Sequence, residues 1–310
     1  MRALVARRLE GPDALELIDT AMPEPAPGQL RIKVAAAAVN PVDLATTDGT
    51  LIDYNLSAPR PQFGLGWDVA GTVDAVGPGV SLTVGSPVIG LSDLLGRSLK
   101  THAEYVVLNA DAVAPAPAGL DLVAASTFAL NALTALQALD RLGLVAGQTL
   151  LVTGAAGGLG GYAVELGKHL GLTVIAQAST ADEALVRGFG ADHVVPRTAD
   201  LTSAVHDVVP AGVDAVIDAA VLGIAAQEPV RNRGGHVHVV AVNEPTPLRG
   251  ISVHSVFVQA ERTGLESVVR LVESGALSTR VAGTYALSEA ATAYKQLAAG
   301  GVRGRLVLTP

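Results

Sequence analysis

The 310-residue chain contains no cysteine. That absence excludes a disulfide framework, a thiolate zinc site and a cysteine nucleophile. Charge is sparse as well: 16% of residues are charged, the formal net charge is −8, and no basic cluster offsets it. Nucleic acid and anionic membrane surfaces are therefore excluded as expected partners. No apolar run approaches the ~20 residues of a membrane span. The opening MRALVARRLEG has no long apolar core and no small-residue cleavage site, so it reads as a first strand rather than a secretory signal. The expected location is cytoplasmic. The seven histidines show no HExxH spacing. His236 and His238 alternate on an apparent strand and share a face, which reads as a core or surface pair. No metal site is expected.

What is present is a globular composition, 49% apolar, in a length that suggests about two domains. Residues 1–115 carry short alternating or apolar runs, among them RALVA, ALELID, QLRIKVAAAAV and HAEYVVL, separated by turn glycines such as Gly28, Gly77, Gly79 and Gly85. This is a β-rich pattern. PAPAGL near 115–120 reads as a crossing into a second domain. A helical pair over LVAASTFALNALTALQAL follows, then expected strands at Asp192–Val195, Asp214–Asp218 and His236–Val242. Strand–helix alternation of this kind builds a parallel sheet with helices on both faces. A helix near 262–274 and a strand–helix–strand tail complete the chain.

The richest segment is GQTLLVTGAAGGLGGYAVELGKHLGLTVIAQ, residues 147–177. An apolar run, Thr149 to Thr153, enters a cluster of Gly154, Gly157, Gly158, Gly160 and Gly161. An amphipathic segment with Leu159, Ala163, Leu166 and Leu170 on one face leads to a second apolar run, Thr173 to Ala176. Strand, tight turn, helix, strand is the unit that holds a dinucleotide pyrophosphate. Glycines let backbone N–H groups approach phosphate, and the helix dipole favours negative charge there.

Landmarks along nearly the whole chain carry a resemblance. They are AVNPVDL (38–44), GWDVAGTVDAVGPGV (66–80), HAEYVVL (102–108), NALTALQAL (131–139), GAAGGLGG (154–161), GADHVV (190–195), VDAVIDAA (213–220) and GVRGRLVLT (301–309). In this order they resemble the zinc-independent quinone and enoyl reductases of the medium-chain dehydrogenase/reductase superfamily. The resemblance implies an α/β protein. A GroES-like β-rich catalytic domain is formed by residues 1–118 and 276–310, and a Rossmann domain, 119–275, is inserted between them. The active site is implied at the cleft.

Where the zinc-dependent branch has a zinc cysteine and a zinc histidine, the resemblance places Asn40 and Trp67. Without a Lewis acid, alcohol dehydrogenation lacks its means of lowering the alcohol pKa. Hydride transfer to an electron-poor C=C bond or quinone demands less, chiefly orientation and hydrogen bonds to the developing oxyanion. Asn40 is a candidate to face the nicotinamide or acceptor, or else a turn residue before Pro41. Tyr54 is the nearby phenol that is a candidate donor, its alternative being a surface loop residue. Asp43 reads as a structural carboxylate, Trp67 as a cleft wall or core, and His102 as strand packing. Thr134 matches a family threonine near the nicotinamide, its alternative being a hydroxyl bonded one turn back. Asp68 and Arg305 are expected to pair.

The resemblance and the turn together give the expected cofactor contacts: Gly154, Ala155, Ala156, Gly157, Gly158, Leu159 and Gly160, with Thr134, Val242 and Arg305. Cofactor choice turns on the end of the second strand. An NAD site usually carries an acid there, whereas this strand ends in Gln177, Ala178, Ser179 and Thr180. Ser179 and Thr180, with Arg187 beyond them, accommodate a 2′-phosphate, while Asp182 and Glu183 lie close by. NADP(H) is the expected cofactor. The expected activity is reduction of a small-molecule quinone or enone. A dedicated biosynthetic enoyl reductase and a catalytically idle NADPH-binding protein are the alternatives. Segments 46–64 and 244–258 are expected to shape the acceptor pocket, and ISVHSVFV (251–258) to pair with its copy in a homodimer.

Overall fold

The computed structural model describes residues 1–240 and 244–310. They form two compact units, Met1–Leu130 with Gln259–Pro310, and Asn131–Val258. In chain order the first unit opens with β1 (Arg2–Ala6), β2 (Leu15–Asp19) and β3 (Gln29–Ala38), then α1 (Pro41–Thr47) and α2 (Thr50–Asp53). Strands β4 (Phe63–Gly64), β5 (Asp68–Val76), β6 (Pro87–Leu91), β7 (Tyr105–Asn109) and β8 (Val113–Pro115) follow, with α3 (Leu122–Ala125). Helix α4 (Ala129–Leu142) leads into the second unit. That unit comprises β9 (Thr149–Thr153), α5 (Gly158–His169), β10 (Thr173–Ala178), α6 (Glu183–Gly188), β11 (His193–Pro196), α7 (Leu201–Val208), β12 (Val213–Asp218), α8 (Ile224–Gln227), β13 (Val230–His238) and β14 (Ser252–Ser255). The chain then returns to the first unit as α9 (Arg262–Glu273), β15 (Val281–Ala286), α10 (Ala290–Ala299) and β16 (Arg305–Thr309).

The first unit is β-rich because its strands alternate. Leu30, Ile32 and Val34 of β3 are buried with Val69, Val73, Val88 and Val106, while Lys33 is exposed, the two-residue period of a pleated strand. Its larger sheet runs β15-β16-β3-β5-β6-β8, with β7 also on β3, and a smaller one runs β2-β1-β4. The last strand joins because Leu306 and Leu308 bury in a cluster with Phe63, Leu65 and Tyr294, and β16 pairs antiparallel with β3.

The second unit is a six-stranded sheet in the order β11-β10-β9-β12-β13-β14, every pairing parallel. Relabelled by position this is the doubly wound Rossmann order 3-2-1-4-5-6. Leu150, Leu151 and Val152 are successive and fully buried, as a strand covered on both faces requires.

Several features differ from the sequence expectation. The units divide at 130/131 and 258/259 rather than at 118 and 276. The 259–274 segment is fastened to the first unit, with Ala260 N donating to Asp93, Arg262 to the Ala110 carbonyl, and Glu273 accepting from Ala118 N. The strand expected at His236–Val242 runs instead over Val230–His238, because Val230 buries and pairs with Val213 across a register shift. Residues 241–243 lie outside the described set. Leu170, expected on the buried face of α5, caps its C-terminus and is 43% exposed. Of ISVHSVFV only Ser252–Ser255 is strand, parallel to β13 at the sheet edge. No helix among the described residues is long and apolar enough to cross a membrane.

Candidate functional site

In the second unit the carboxyl ends of the parallel strands gather the polar groups, where open α/β sheets take their ligands. Thr153 ends β9 and its hydroxyl donates to Asp218, the last residue of β12, at 2.6 Å; Asp218 in turn accepts from Gly223 N at 2.8 Å. Between β9 and α5 the chain turns at Gly154 (φ +60°), with Gly157 N bonded to the Gly154 carbonyl at 3.0 Å. Ala155 N bonds the Gln177 carbonyl on β10. A Cβ at Gly160 would lie 2.3 Å from the Gly154 oxygen, so only glycine lets the helix approach the turn. The helix starts without a side-chain cap. Its first backbone bond runs from Gly161 to Gly157, which leaves the N–H groups of Gly158, Leu159 and Gly160 as donors. Ala156, Gly157, Gly158 and Leu159 are partly exposed, so an anion can reach the turn, whereas Ala155 is buried. Such a turn fits a pyrophosphate.

At the end of β10, Ser179 is partly exposed and Thr180 exposed. The Ser179 hydroxyl is hydrogen-bonded to Asp182, a buried carboxylate three residues on. Arg187, expected to answer a 2′-phosphate, is instead paired with Glu183 one helical turn back at 2.9 Å, and it also reaches the Asp192 carbonyl. That ion pair is half exposed, so the guanidinium is held weakly.

In the first unit a buried polar cluster lies under α1. Asn40 is its N-cap, fully buried, with every polar side-chain atom engaged. Nδ2 donates to Asp68 at 2.9 Å and to the Ala38 carbonyl at 3.2 Å, and Oδ1 accepts from Arg305. This is the turn reading of Asn40: both amide hydrogens are bonded, its oxygen accepts from Arg305, and the residue starts α1 just before Pro41. Asp43 is likewise structural, accepting from Asn40 N at 2.9 Å and Gly66 N at 2.8 Å. Arg305 is 4% exposed and donates to Asn40 and Asp68, so it is spent inside the unit rather than available for a cofactor phosphate. His102 bonds the Tyr294 hydroxyl through Nδ1 at 2.9 Å and the Ala38 carbonyl through Nε2 at 3.1 Å. A carbonyl only accepts, so Nε2 carries the proton and Nδ1 accepts from Tyr294. Burial holds His102 below the usual imidazole range.

Trp67 is 7% exposed, and the Lys100 ammonium sits 3.7 Å from its ring centroid. The juxtaposition follows from two glycines. A Cβ at Gly64 would meet the Leu99 backbone at 2.6 Å, and one at Gly66 (φ +92°) would meet His102 N at 2.6 Å. With glycine at both, segment 97–102 lies against 64–66, bonded from Gly64 N to the Arg97 carbonyl and from His102 N to the Leu65 carbonyl. Lys100 is 3% exposed, and burial pushes it down to about 7 against the pull of Asp43 and Asp93. Sequence reasoning missed Lys100; its one signal was a lysine in the otherwise weakly charged run leading into HAEYVVL.

The remaining candidates are scattered. Tyr54 ends α2, is 52% exposed, and its hydroxyl bonds no described residue. Thr134 is buried on α4 of the second unit. Val242 lies outside the described residues. His236 and His238 are both buried, their rings 6.2 Å apart. Among the described residues no group of three or more His, Cys, Asp or Glu side chains could hold a metal ion.

Comparison with known proteins is consistent with this arrangement. Residues 26–118 match the alcohol dehydrogenase GroES-like domain family, and residues 189–308 match the zinc-binding dehydrogenase family. The chain is 34% identical over 232 residues to a probable quinone oxidoreductase of Leishmania amazonensis, covering 73% of this chain and 64% of that protein. It is 30% identical over 338 residues to a 2-haloacrylate reductase of a Burkholderia species, covering 99% and 98%. Among solved structures, an NAD-dependent alcohol dehydrogenase superposes with TM-score 0.88 at 31% identity, over the full length of both chains. A mycobacterial protein complexed with NADPH superposes with TM-score 0.87 at 28% identity, again over both full chains.

Proposed function

Because the chain belongs to the zinc-independent branch of the medium-chain dehydrogenase/reductase superfamily, we propose that it is an NADPH-dependent reductase of quinones or α,β-unsaturated carbonyl compounds. The observation that carries this reading is the glycine turn at 154–160, with three helix-start N–H donors uncapped and no room at Gly160 for a side chain. Gly154, Ala155, Ala156, Gly157, Gly158, Leu159 and Gly160 would hold the pyrophosphate. Ser179 and Thr180 would meet the adenosine ribose, and Thr134 and Val242 would lie toward the nicotinamide. The absence of an acid at the end of β10 supports the 2′-phosphate form, and Asp182 beside Ser179 works against it. The bound nicotinamide supplies hydride, and the protein supplies orientation and an electrostatic setting for the charge that develops on the acceptor oxygen.

Titration with NADPH and NADH, read by nicotinamide fluorescence or calorimetry, tests the cofactor assignment. NADPH is expected to bind more tightly. An NADH preference above about tenfold, 1.4 kcal/mol, would overturn it.

A further inference from the structure

At the amino ends of β12, β13 and β14, the end of the parallel sheet opposite the glycine turn, the second unit carries a cavity of about 210 Å³. Arg141, Arg231, Arg233 and His254 line it against a single acid, Asp214. Two glycines bring them together. A Cβ at Gly235 would lie 2.6 Å from the Leu142 side chain, so the bare strand lets the end of α4, with Arg141, come down on β13. A Cβ at Gly234 would lie 2.6 Å from the Asp214 carbonyl, so β13 closes on β12. Asp214 is saturated: it accepts from Thr149 N and Oγ1 at 2.8 Å, from Arg231 Nε at 2.8 Å and from Gln148 Nε2 at 3.3 Å. The side chains of Arg141, Arg233 and His254 make no hydrogen bond or ion pair among the described residues, so their N–H groups remain available to a ligand. Against three guanidiniums stand one carboxylate and roughly half a negative charge at the α4 C-terminus. The cavity is therefore cationic, on a chain of net charge −8. Arg233 sits at φ +62°, its N–H bonded to the Arg249 carbonyl at 3.1 Å. Glycine would make that turn without strain, so what the arginine adds is its guanidinium.

We propose that this cavity is a second binding site, separate from the glycine turn, and that it takes a phosphate dianion, free or as the head of a small monoester. Guanidinium forks pair bidentately with phosphate oxygens. Arg141 and Arg233 bring two such forks, and Arg231 Nη2 and the His254 ring add donors beside them. A phosphate group offers three acceptor oxygens and nearly two negative charges, which answers the excess of guanidinium over carboxylate better than a single carboxylate does. The volume lies below the roughly 300–1,000 Å³ of sites for drug-sized ligands. It therefore suits phosphate bearing a few carbons and is too small for a dinucleotide. Because α4, β12, β13 and β14 all contribute lining residues, a bound dianion ties the edge strand to the sheet and stabilises the folded unit. The site is independent of the reductase reading.

Calorimetric titration of the full chain with glycerol 3-phosphate and with inorganic phosphate, at one low ionic strength, tests it. Saturable binding with Kd below about 1 mM is expected, with a rise in the unfolding midpoint. Tighter binding of glycerol 3-phosphate identifies a monoester site, and equal binding a site for free phosphate. Acetate should bind at least about tenfold more weakly. Arg141→Met and Arg233→Gly should each weaken phosphate binding about tenfold or more. Arg233→Gly separates binding from folding: glycine suits φ +62°, so the ligand-free midpoint should stay at or above that of wild type. Gly160→Ala, which disturbs only the glycine turn, should keep the binding that the arginine variants lose. No saturable binding up to about ten times the expected Kd, or equal affinity in wild type and both arginine variants, would overturn the proposal. So would acetate binding as tightly as phosphate. Binding lost in Gly160→Ala and kept in the arginine variants would move the anion to the turn and end the assignment.

Discussion

Arg305 Nη2 donates to Asp68 Oδ2 at 3.2 Å across 237 positions of sequence, and neither side chain reaches bulk water. The contact joins β16, near the chain's end, to β5, and Asn40 bridges the two. Burial pushes the Asp68 carboxyl up, while Arg305, the Asn40 amide and Leu130 N pull it down. Arg305→Met therefore leaves a buried acid short of its counter-charge and should cost about 3–5 kcal/mol. Protonation relieves that burden, so the loss should be largest at high pH and shrink as the solution is acidified. Urea unfolding midpoints at several pH values measure it. A midpoint unchanged from wild type would show the pair to be dispensable.

His236 is buried with both ring nitrogens unpartnered among the described residues, and burial pushes it down to about 4 from 6.5. Between those values the unfolded chain binds more protons than the folded one, so stability rises with pH across the window. The penalty reaches about 3 kcal/mol at its acid end. His236→Leu should raise the unfolding midpoint at pH 5 and flatten its pH dependence. Unaltered slopes in the variant would place the acid sensitivity elsewhere.

Gly160→Ala puts a methyl where the Gly154 carbonyl stands. The start of α5 must then shift and its free N–H groups with it. NADPH affinity should fall at least about tenfold, roughly 1.4 kcal/mol, with a smaller effect on the fold. Gly188, where a Cβ meets nothing within 4 Å, is the control position, and its alanine variant should bind as wild type does.

The edge strand β14 pairs with β13 on one side only. An unpaired edge invites pairing with a second copy, and a homodimer formed by that route is the expected state. Val253 is partly exposed and Val256 buried. Val253→Lys should shift sedimentation toward monomer without unfolding the chain, and Val256→Lys should destabilise it. A wild-type monomer at micromolar concentration would contradict the edge-pairing route.

Local pattern was what the sequence disclosed best. Thr149–Thr153 and the glycine cluster are read from adjacent residues, and the strand bounds agree residue for residue. The early start of β13 was hidden because RNRGG is neither apolar nor alternating; only its pairing with β12 makes it strand. The partner of Asn40 was hidden because Arg305 lies 265 positions away. Lys100 and Trp67 meet through backbone packing at Gly64 and Gly66, a contact no spacing rule encodes.

The proposed reaction is metal-free hydride transfer from NADPH to an activated C=C bond or quinone. Protein dialysed exhaustively against chelator and assayed for zinc is mixed with NADPH and a panel of quinones and enones. Consumption of NADPH, one equivalent per acceptor reduced and at the rate of undialysed protein, is the expected result. Stoichiometric zinc in the purified protein with activity lost on chelation would contradict it, as would NADPH left unconsumed by every acceptor.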